Sequence, residues 1–172
     1  VAKRFDTLTA VSNLSLRIRE GAVFGLLGPN GAGKTTSLRM IMRVLIPDEG
    51  SIQVLGEPVS DRTQDRVGYL PEERGLYTRM KVREVLRILG ALKGLSETEA
   101  AQRAQSWLER LELAAWSEKK IQDLSKGMQQ KVQFIATVIH KPPLLILDEP
   151  FAGLDPVNAS LIKDIMLELR DQ

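Results

Sequence analysis

The chain begins with short stretches whose hydrophobic pattern is typical of strands. Apolar and polar side chains alternate over residues 14–18 and 52–54, which predicts two half-buried strands. Between them, a continuous apolar run over residues 23–27 predicts a strand that is covered on both faces. A helix-forming run over residues 37–45 comes next. These patterns together predict a mixed sheet.

From Val82 onward the apolar spacing becomes helical. Apolar residues recur roughly every three to four positions after Val82, and Gly94 is typical of a residue that ends a helix. Ser96 and Glu99 form a capping-box pattern, which predicts the start of a second helix. The middle of the chain is therefore predicted to be a helical insert in the sheet.

Composition narrows the possible functions only moderately. The 172 residues include 24 basic and 22 acidic side chains, a net charge of +2, and no cysteine. The near balance of charge argues against a dedicated nucleic-acid surface, and the lack of cysteine excludes disulfides and thiolate metal sites. Apolar runs stay well short of the ~18 residues of a spanning helix, so any membrane role is expected to depend on a partner.

A glycine-rich loop provides the first chemical signal. Residues 28–36 read GPNGAGKTT, a full match to G-x-x-x-x-G-K-[ST] between a predicted strand and a predicted helix. Glycines let successive backbone N–H groups point inward, and the helix N-terminus adds partial positive charge. We expect Lys34 to reach the β- and γ-phosphates of a nucleoside triphosphate, Thr35 to offer its hydroxyl to Mg²⁺, and Thr36 to add a donor. The alternative is a turn that binds nothing. The predicted nucleotide-binding residues of the loop are Gly28, Pro29, Asn30, Gly31, Ala32, Gly33, Lys34, Thr35 and Thr36.

Two carboxylates follow the next predicted strand. Four aliphatic residues over 144–147 predict a buried strand, and a last helix is predicted over residues 157–170. Asp148 and Glu149 come directly after the strand, at the end where ligands of open α/β sheets bind. Asp148 is placed to hold Mg²⁺, and Glu149 to deprotonate the water that attacks a γ-phosphate. The alternative is an acidic turn that merely ends a strand.

A third segment resembles a known family. LSKGMQQK, residues 124–131, resembles the signature sequence of ATP-binding-cassette (ABC) ATPases. The resemblance covers essentially the whole chain, with residues 28–36 at the Walker A position and Asp148 and Glu149 at the Walker B position. Within this family, GYLPEERGLY at residues 68–77 is most similar to bacterial exporters of the sodium-extrusion, or ABC-2, type.

The resemblance implies a fold and a domain organisation. The fold would be α/β of the P-loop NTPase type, with a RecA-like core sheet, an antiparallel β subdomain and a helical insert. A single ABC ATPase domain would span residues 1–172, with residues 1–77 and 141–172 in the nucleotide-binding core and residues 78–140 in a helical subdomain that includes the signature. The family's switch histidine and one central strand would lie beyond Gln172, and the first strand of its β subdomain would lie before Val1. We therefore expect a chain that is trimmed at both ends.

The signature residues take their expected role from the same resemblance. Ser125, Lys126, Gly127 and Met128 would contact the γ-phosphate of an ATP molecule held by the opposite subunit, because a helix N-terminus attracts phosphate. Lys126 and Met128 replace the family's usual glycine and glutamine, and Lys126 either adds charge toward the phosphate or is merely solvated. His140, the only histidine, falls in the last turn of this predicted helix, where the dipole favours cations, and is interpreted as structural.

Three further residues match positions of the family. Phe5 matches the aromatic residue that stacks on adenine, although it could equally be a packing residue. Glu72 occupies the Q-loop position and either ligates Mg²⁺ or is an exposed loop acid. Asp155, in AGLD at residues 152–155, matches the family's D-loop.

The resemblance also implies a function. The chain would be an ATPase subunit that uses ATP and Mg²⁺, pairs with a second ABC ATPase subunit, identical or not, and energises export through a separate transmembrane permease. Lys34 and Glu149 would be its catalytic residues. It would lie in the cytoplasm at the inner face of the plasma membrane and would not bind nucleic acid. The open alternatives are a soluble ABC ATPase that is not coupled to transport, and a nucleotide-binding fragment without turnover.

Overall fold

The strands of this protein are short and pair in twos. The computed structural model describes residues 1–73 and 75–171. The antiparallel pairs are β1 (Lys3–Phe5) with β2 (Leu8–Val11) and β3 (Gln53–Val54) with β4 (Glu57–Pro58), and the parallel pair is β5 (Val67–Leu70) with β6 (Leu144–Leu147). The antiparallel component that the resemblance implies is therefore present.

Helices make up most of the regular structure. They are α1 (Lys34–Ile41), α2 (Asp61–Asp65), α3 (Val82–Leu92), α4 (Glu97–Arg110), α5 (Lys126–Val138) and α6 (Pro156–Arg170), with 3₁₀ turns at Ala114–Trp116 and Ile121–Asp123. Three of them, α3, α4 and α5, fall between β5 and β6 in the chain. The predicted helical insert is thus confirmed.

The residues divide into two compact units. The first contains Val1–Arg66 together with the chain from Lys163 onward, and the second contains Val67–Ile162. Strands β1 to β4 and helices α1 and α2 belong to the first unit, whereas β5, β6 and helices α3 to α5 belong to the second. The expected division into a nucleotide-binding core and a helical subdomain over residues 78–140 stays a prediction.

Local signals in the helical insert correspond closely to the structure. The helix predicted from Val82 is α3, and Gly94 follows its end with a φ of 86°. Ser96 caps α4 as the capping-box pattern predicts: its hydroxyl accepts from the backbone N–H of Glu99 at 3.3 Å, and its own N–H donates to the Glu99 carboxylate at 3.0 Å. Both helix ends are therefore set by local chemistry.

Helix α5 forms the centre of the second unit. Its Phe134 is buried and meets Trp107 of α4 edge to face, with ring centroids 6.4 Å apart. Strand β5 approaches the backbone of α5 closely: a Cβ on Gly68 would lie 2.5 Å from the carbonyl oxygen of Thr137. Only glycine permits this contact between helix and strand. The other fully buried apolar residues around α5 include Val85, Leu86, Leu108, Val132, Ile135 and Val138.

Two predicted strands are wrong. Residues 14–18 and 23–27 form no ladder with any described residue, and in the second segment Leu27 is 93% and Val23 is 59% exposed. A strand needs a neighbour for its N–H and C=O groups, and an apolar pattern does not supply one. The predicted mixed sheet is therefore present among the described residues only as three separate two-stranded ladders, although β3 confirms part of the strand expected at 52–54.

The helix after the glycine-rich loop also differs from its prediction. It was expected over residues 37–45 but runs from Lys34 to Ile41. It begins earlier because Gly33, with a φ of 83°, forms its N-cap. It ends earlier because Arg43 adopts a φ of 53°, a backbone conformation that an α-helix does not contain. The first helical residues are consequently part of the loop motif itself.

His140 was expected in the last turn of α5, but the helix ends at Val138 and Ile139 is its C-cap. The surroundings of His140 are also less favourable for positive charge than the helix dipole suggested. Burial is the main cause that lowers its pKa from 6.5 to about 4, and the nearby charges of Lys93 and Arg103 lower it further, whereas the backbone of Val67 opposes the shift. Arg103 itself donates to the carbonyl of Ile139 at 3.1 Å. The imidazole is therefore neutral in the folded protein near neutral pH, which agrees with a structural role.

This setting predicts that acid weakens the fold. Because the pKa of His140 is lower in the folded protein than the ordinary 6.5, the unfolded chain binds more protons as the pH falls from 6.5 toward about 4. The free energy of unfolding should drop by about 1 kcal/mol over that window, a discounted value because the ring is only partly buried. Urea unfolding at pH 7 and pH 4.5 measures it. A His140→Gln variant should lose correspondingly less, and an equal loss in both proteins would contradict the assignment.

Candidate functional site

The glycine-rich loop leads directly into α1 and leaves its first turn uncapped. Gly33 is the N-cap residue and no side chain makes a capping hydrogen bond there. The first N–H groups of a helix have no partner within the helix, so they are available to an external acceptor. The helix N-terminus also has a partial positive charge. Backbone and dipole thus favour an anion at Lys34, Thr35 and Thr36, all of which are half-buried.

The loop needs glycine at this point for two reasons. The φ of Gly33 is 83°, in the left-handed region. A Cβ on Gly33 would in addition lie 2.3 Å from the carbonyl oxygen of Ala10 and 3.0 Å from the side chain of Val11, both on β2. Strand β2 therefore packs directly against the loop at Gly33. A residue larger than glycine at position 33 would not allow this contact.

Lys34 folds back over the loop. Its Nζ donates to the carbonyl oxygens of Gly28 at 2.8 Å and Pro29 at 3.0 Å. The ammonium group therefore lies at the loop, beside the uncapped N–H groups of the helix. An anionic oxygen there could replace one of these carbonyls, since a hydrogen bond between charged partners is stronger than one to a neutral carbonyl.

The parallel strand pair ends at a buried carboxylate. The N–H of Asp148 donates to the carbonyl of Leu70 at 2.8 Å, which continues the ladder one residue beyond β6. Asp148 is 6% exposed, and its Oδ2 atom is buried without a hydrogen-bond partner among the described residues. Burying an unpaired carboxylate oxygen is costly, whereas a cation would compensate it. These features fit an oxygen ligand for Mg²⁺.

Glu149 differs from Asp148 in its exposure and in its backbone conformation. It is exposed, and its φ of 52° lies in the left-handed region. A residue other than glycine adopts that conformation at a cost, and such residues cluster at functional sites. The turn therefore separates a buried carboxylate, suited to a metal, from an exposed one, suited to contact with water.

The start of α5 packs against the D-loop. Ser125 is exposed and caps the helix, because its hydroxyl accepts from the N–H of Met128 at 3.2 Å. A Cβ on Gly127 would lie 3.2 Å from the carbonyl oxygen of Gly153, so the two segments approach closely. Lys126 is the first helical residue and is exposed. Contact of these residues with a nucleotide in another subunit stays a prediction.

Asp155 has a clear local role. Its Oδ1 atom accepts from the N–H groups of Val157 at 3.0 Å and Asn158 at 3.1 Å, at the start of α6. A hydrogen bond from the Asn158 side chain is the main cause that lowers the pKa of Asp155. The residue therefore orders the turn between the D-loop and α6, and its part in a nucleotide site stays a prediction.

Phe5 and Glu72 are both exposed, and their roles at a nucleotide stay predictions. Phe5 ends β1 and is 42% exposed, with the Lys3 ammonium 5.5 Å from its ring centroid. Glu72 is exposed just after β5. The carbonyls on either side of it, those of Pro71 and Glu73, accept hydrogen bonds from Gln133, a residue that the sequence analysis missed. The signal that could have found it is a glutamine within the otherwise apolar stretch 132–135.

The predicted site residues are distributed over both units. The glycine-rich loop and Phe5 belong to the first, and Glu72, Asp148, Glu149 and the signature belong to the second. No group of three or more histidine, aspartate or glutamate side chains could hold a metal among residues 1–73 and 75–171. No helix in the described part of the chain is long and apolar enough to cross a membrane.

Comparison with known proteins agrees with these features. The sequence matches the family described as ABC transporter over residues 11–152. It is 53% identical to the ABC transporter ATP-binding protein YhaQ of Bacillus subtilis over 99% of this chain and 57% of that protein. It is 41% identical to the Nod factor export ATP-binding protein I of Cupriavidus metallidurans over 94% of this chain and 54% of that protein. The chain thus spans somewhat over half the length of these relatives.

Solved structures confirm the fold class. One described as the ATP-binding subunit of an ABC transporter superposes with a TM-score of 0.90 at 30% identity, covering 99% of this chain and 72% of that one. An α/β fold of the P-loop NTPase type follows. On the family match over residues 11–152 and these relatives, the chain belongs to the ABC transporter family, among its ATP-binding proteins.

Proposed function

We propose that this protein binds and hydrolyses ATP and so energises export through a separate transmembrane permease. The observation that supports it most strongly is the uncapped N-terminus of α1, where the Lys34 ammonium lies over the loop carbonyls of Gly28 and Pro29. The choice of ATP as the nucleotide is supported by the relatives, which are named as ATP-binding proteins.

Binding is proposed to use the loop and the start of α1. The N–H groups of residues 31–36 would donate to phosphate oxygens, and Lys34 would exchange its carbonyl acceptors for the β- and γ-phosphates. Phe5 would stack on the adenine through its exposed ring face. These contacts would position the triphosphate and neutralise part of its charge. Positioning and electrostatic stabilisation are the main contributions of a protein to phosphoryl transfer.

Mg²⁺ would be held by the Thr35 hydroxyl and by Asp148, with Glu72 as a further oxygen ligand. When bound, the ion would neutralise charge that develops on the phosphate oxygens. The unpartnered Oδ2 atom of Asp148 supports this assignment. Glu149, exposed beside it, would accept a proton from the attacking water.

A second ABC ATPase subunit is proposed to complete the site. The exposed Ser125 and Lys126 at the start of α5 would contact the γ-phosphate bound by that partner, and Asp155 would lie near the same contact. The partner subunits would act on a permease at the inner face of the plasma membrane. Export as the direction of transport is supported by the relative named for Nod factor export. The chemical nature of the cargo would be a property of the permease.

Phosphate release from ATP by the purified full-length protein tests this function. We expect release that requires Mg²⁺ and stops when EDTA is added. Co-expression with a membrane-spanning protein encoded beside it should bring the ATPase to the membrane fraction. ATP binding without phosphate release would instead indicate a nucleotide-binding module, and Mg²⁺-dependent release with no such membrane partner would indicate a soluble ABC ATPase.

A further inference from the structure

Gln133 is a polar residue in the middle of a buried helix. It lies on α5 between Val132 and Phe134, and all three are at most 5% exposed. Its Nε2 atom donates to the carbonyl oxygens of Pro71 at 3.3 Å and Glu73 at 3.2 Å. Its Oε1 atom is buried with no hydrogen-bond partner among the described residues. An apolar residue would avoid the cost of this unpartnered oxygen. What the glutamine contributes instead is the two hydrogen bonds that it donates.

The two acceptors lie on either side of Glu72. Both carbonyls belong to the segment that leaves β5, and one amide group holds them together. The Glu72 side chain itself is exposed. We propose that Gln133 is a positioning residue: it fixes the backbone around Glu72 and so presents that carboxylate to Mg²⁺ in the complex with ATP. This inference rests on the proposed function.

A second glutamine on α5 also donates a hydrogen bond to a backbone carbonyl beyond the end of a strand. Gln130, one turn earlier and 5% exposed, donates from Nε2 to the carbonyl of Pro150 at 3.4 Å. Pro150 directly follows Asp148 and Glu149. The same helix therefore contacts the backbone beyond the carboxyl ends of both parallel strands, β5 through Gln133 and β6 through Gln130. A shift of α5 would be transmitted to the segments that contain both sets of acidic residues.

Thr137 provides a matched control one turn further along the same helix. It is as buried as Gln133, at 5% exposed, and its hydroxyl lies 3.0 Å from the carbonyl oxygen of Gln133 and 3.4 Å from that of Tyr69. Its bonds therefore stay within α5 and β5 and do not reach the segment around Glu72. Thr137→Val therefore removes a buried polar group from the contact between α5 and β5 but leaves the hydrogen bonds to the segment around Glu72 in place.

The test measures how ATP turnover by the full-length protein depends on free Mg²⁺. Gln133→Met keeps the length of the side chain but removes the donor, and should raise the Mg²⁺ concentration for half-maximal turnover about fivefold, the effect of losing a typical hydrogen bond. ATP affinity measured in EDTA should stay unchanged, because the loop at Lys34 is untouched. Thr137→Val should respond to Mg²⁺ as the wild type does.

Gln133→Glu gives an independent readout if the methionine variant folds poorly. Its carboxylate would face two carbonyl oxygens and repel them, whereas the protonated acid could donate to one of them. Burial raises the pKa of a carboxyl group, so its turnover should recover as the pH falls from 8 to 6 relative to wild type. A purely structural role would not produce such recovery.

The outcomes separate this inference from the proposed function. If wild-type protein shows Mg²⁺-dependent turnover but Gln133→Met has the same Mg²⁺ response, Gln133 does not position Glu72. The inference also fails if Gln133→Met and Thr137→Val change turnover alike. If wild-type protein releases no phosphate, the proposed function itself is wrong, and the inference fails with it.

Discussion

Lys34→Ala should lower ATP affinity by about ten- to a hundredfold and abolish measurable phosphate release. The substitution removes hydrogen bonds from a charged donor to phosphate, each of which contributes roughly 1.5–3 kcal/mol. It also removes the two bonds by which Nζ holds the carbonyls of Gly28 and Pro29. Titration calorimetry with ATP in the full-length protein measures the affinity, and a phosphate-release assay measures turnover.

A control distinguishes loss of the binding group from general loss of charge. Lys163 is an exposed lysine on α6 in the same compact unit, so Lys163→Ala changes the net charge equally without affecting the loop. It should bind ATP as the wild type does. Circular dichroism and thermal unfolding of both variants show whether they fold. A folded Lys34→Ala protein that keeps wild-type ATP affinity would contradict the assignment of the nucleotide site.

Glu149→Gln should slow ATP hydrolysis by at least about a hundredfold while ATP affinity stays near that of the wild type. General-base catalysis typically contributes a factor of 10² to 10⁴, and an amide cannot accept the proton from water. The replacement is nearly isosteric, and the backbone turn at a φ of 52° is unchanged. Asp148 is buried and separate, so the proposed metal ligand remains. Single-turnover phosphate release measures the chemical step.

The same variant tests the proposed second subunit. With hydrolysis blocked, ATP and Mg²⁺ should trap two copies around the nucleotide, which sedimentation velocity would detect as an ATP-dependent dimer. Glu112→Gln is a suitable control, because Glu112 is also an exposed glutamate with a positive φ, of 59°. It should turn over ATP normally. Full activity in Glu149→Gln would show that another group accepts the proton.

Many features could be predicted from sequence because they depend on residues close together in the chain. The start of α4 follows from Ser96 and Glu99, three residues apart, and β6 coincides with the four aliphatic residues expected at 144–147. The glycine-rich loop is likewise a local pattern whose backbone needs are set by Gly33 and its neighbours. Local hydrogen bonding and backbone sterics act over a few residues, so a linear pattern is sufficient to identify them.

Other expectations failed because their physical cause lies in distant contacts. The apolar run at 23–27 correctly indicated hydrophobic residues but not whether a neighbouring strand pairs with them, and among the described residues none does. The charge preference expected at His140 was reversed by burial and by Lys93 and Arg103, which precede it by 47 and 37 positions in the numbering. Dipole arguments consider one helix, whereas the pKa depends on everything packed around the ring.

The sequence by itself therefore determined the family, the glycine-rich loop and the acidic pair, because each is a contiguous pattern of residue types. Only the tertiary structure showed that Asp148 has a buried oxygen without a partner, that Glu149 is exposed in a left-handed turn, and that Gln133 holds the backbone on both sides of Glu72. These are properties of burial and of hydrogen bonds between residues about 60 positions apart. A linear pattern does not contain them, since they arise only when the chain folds and packs α5 against β5.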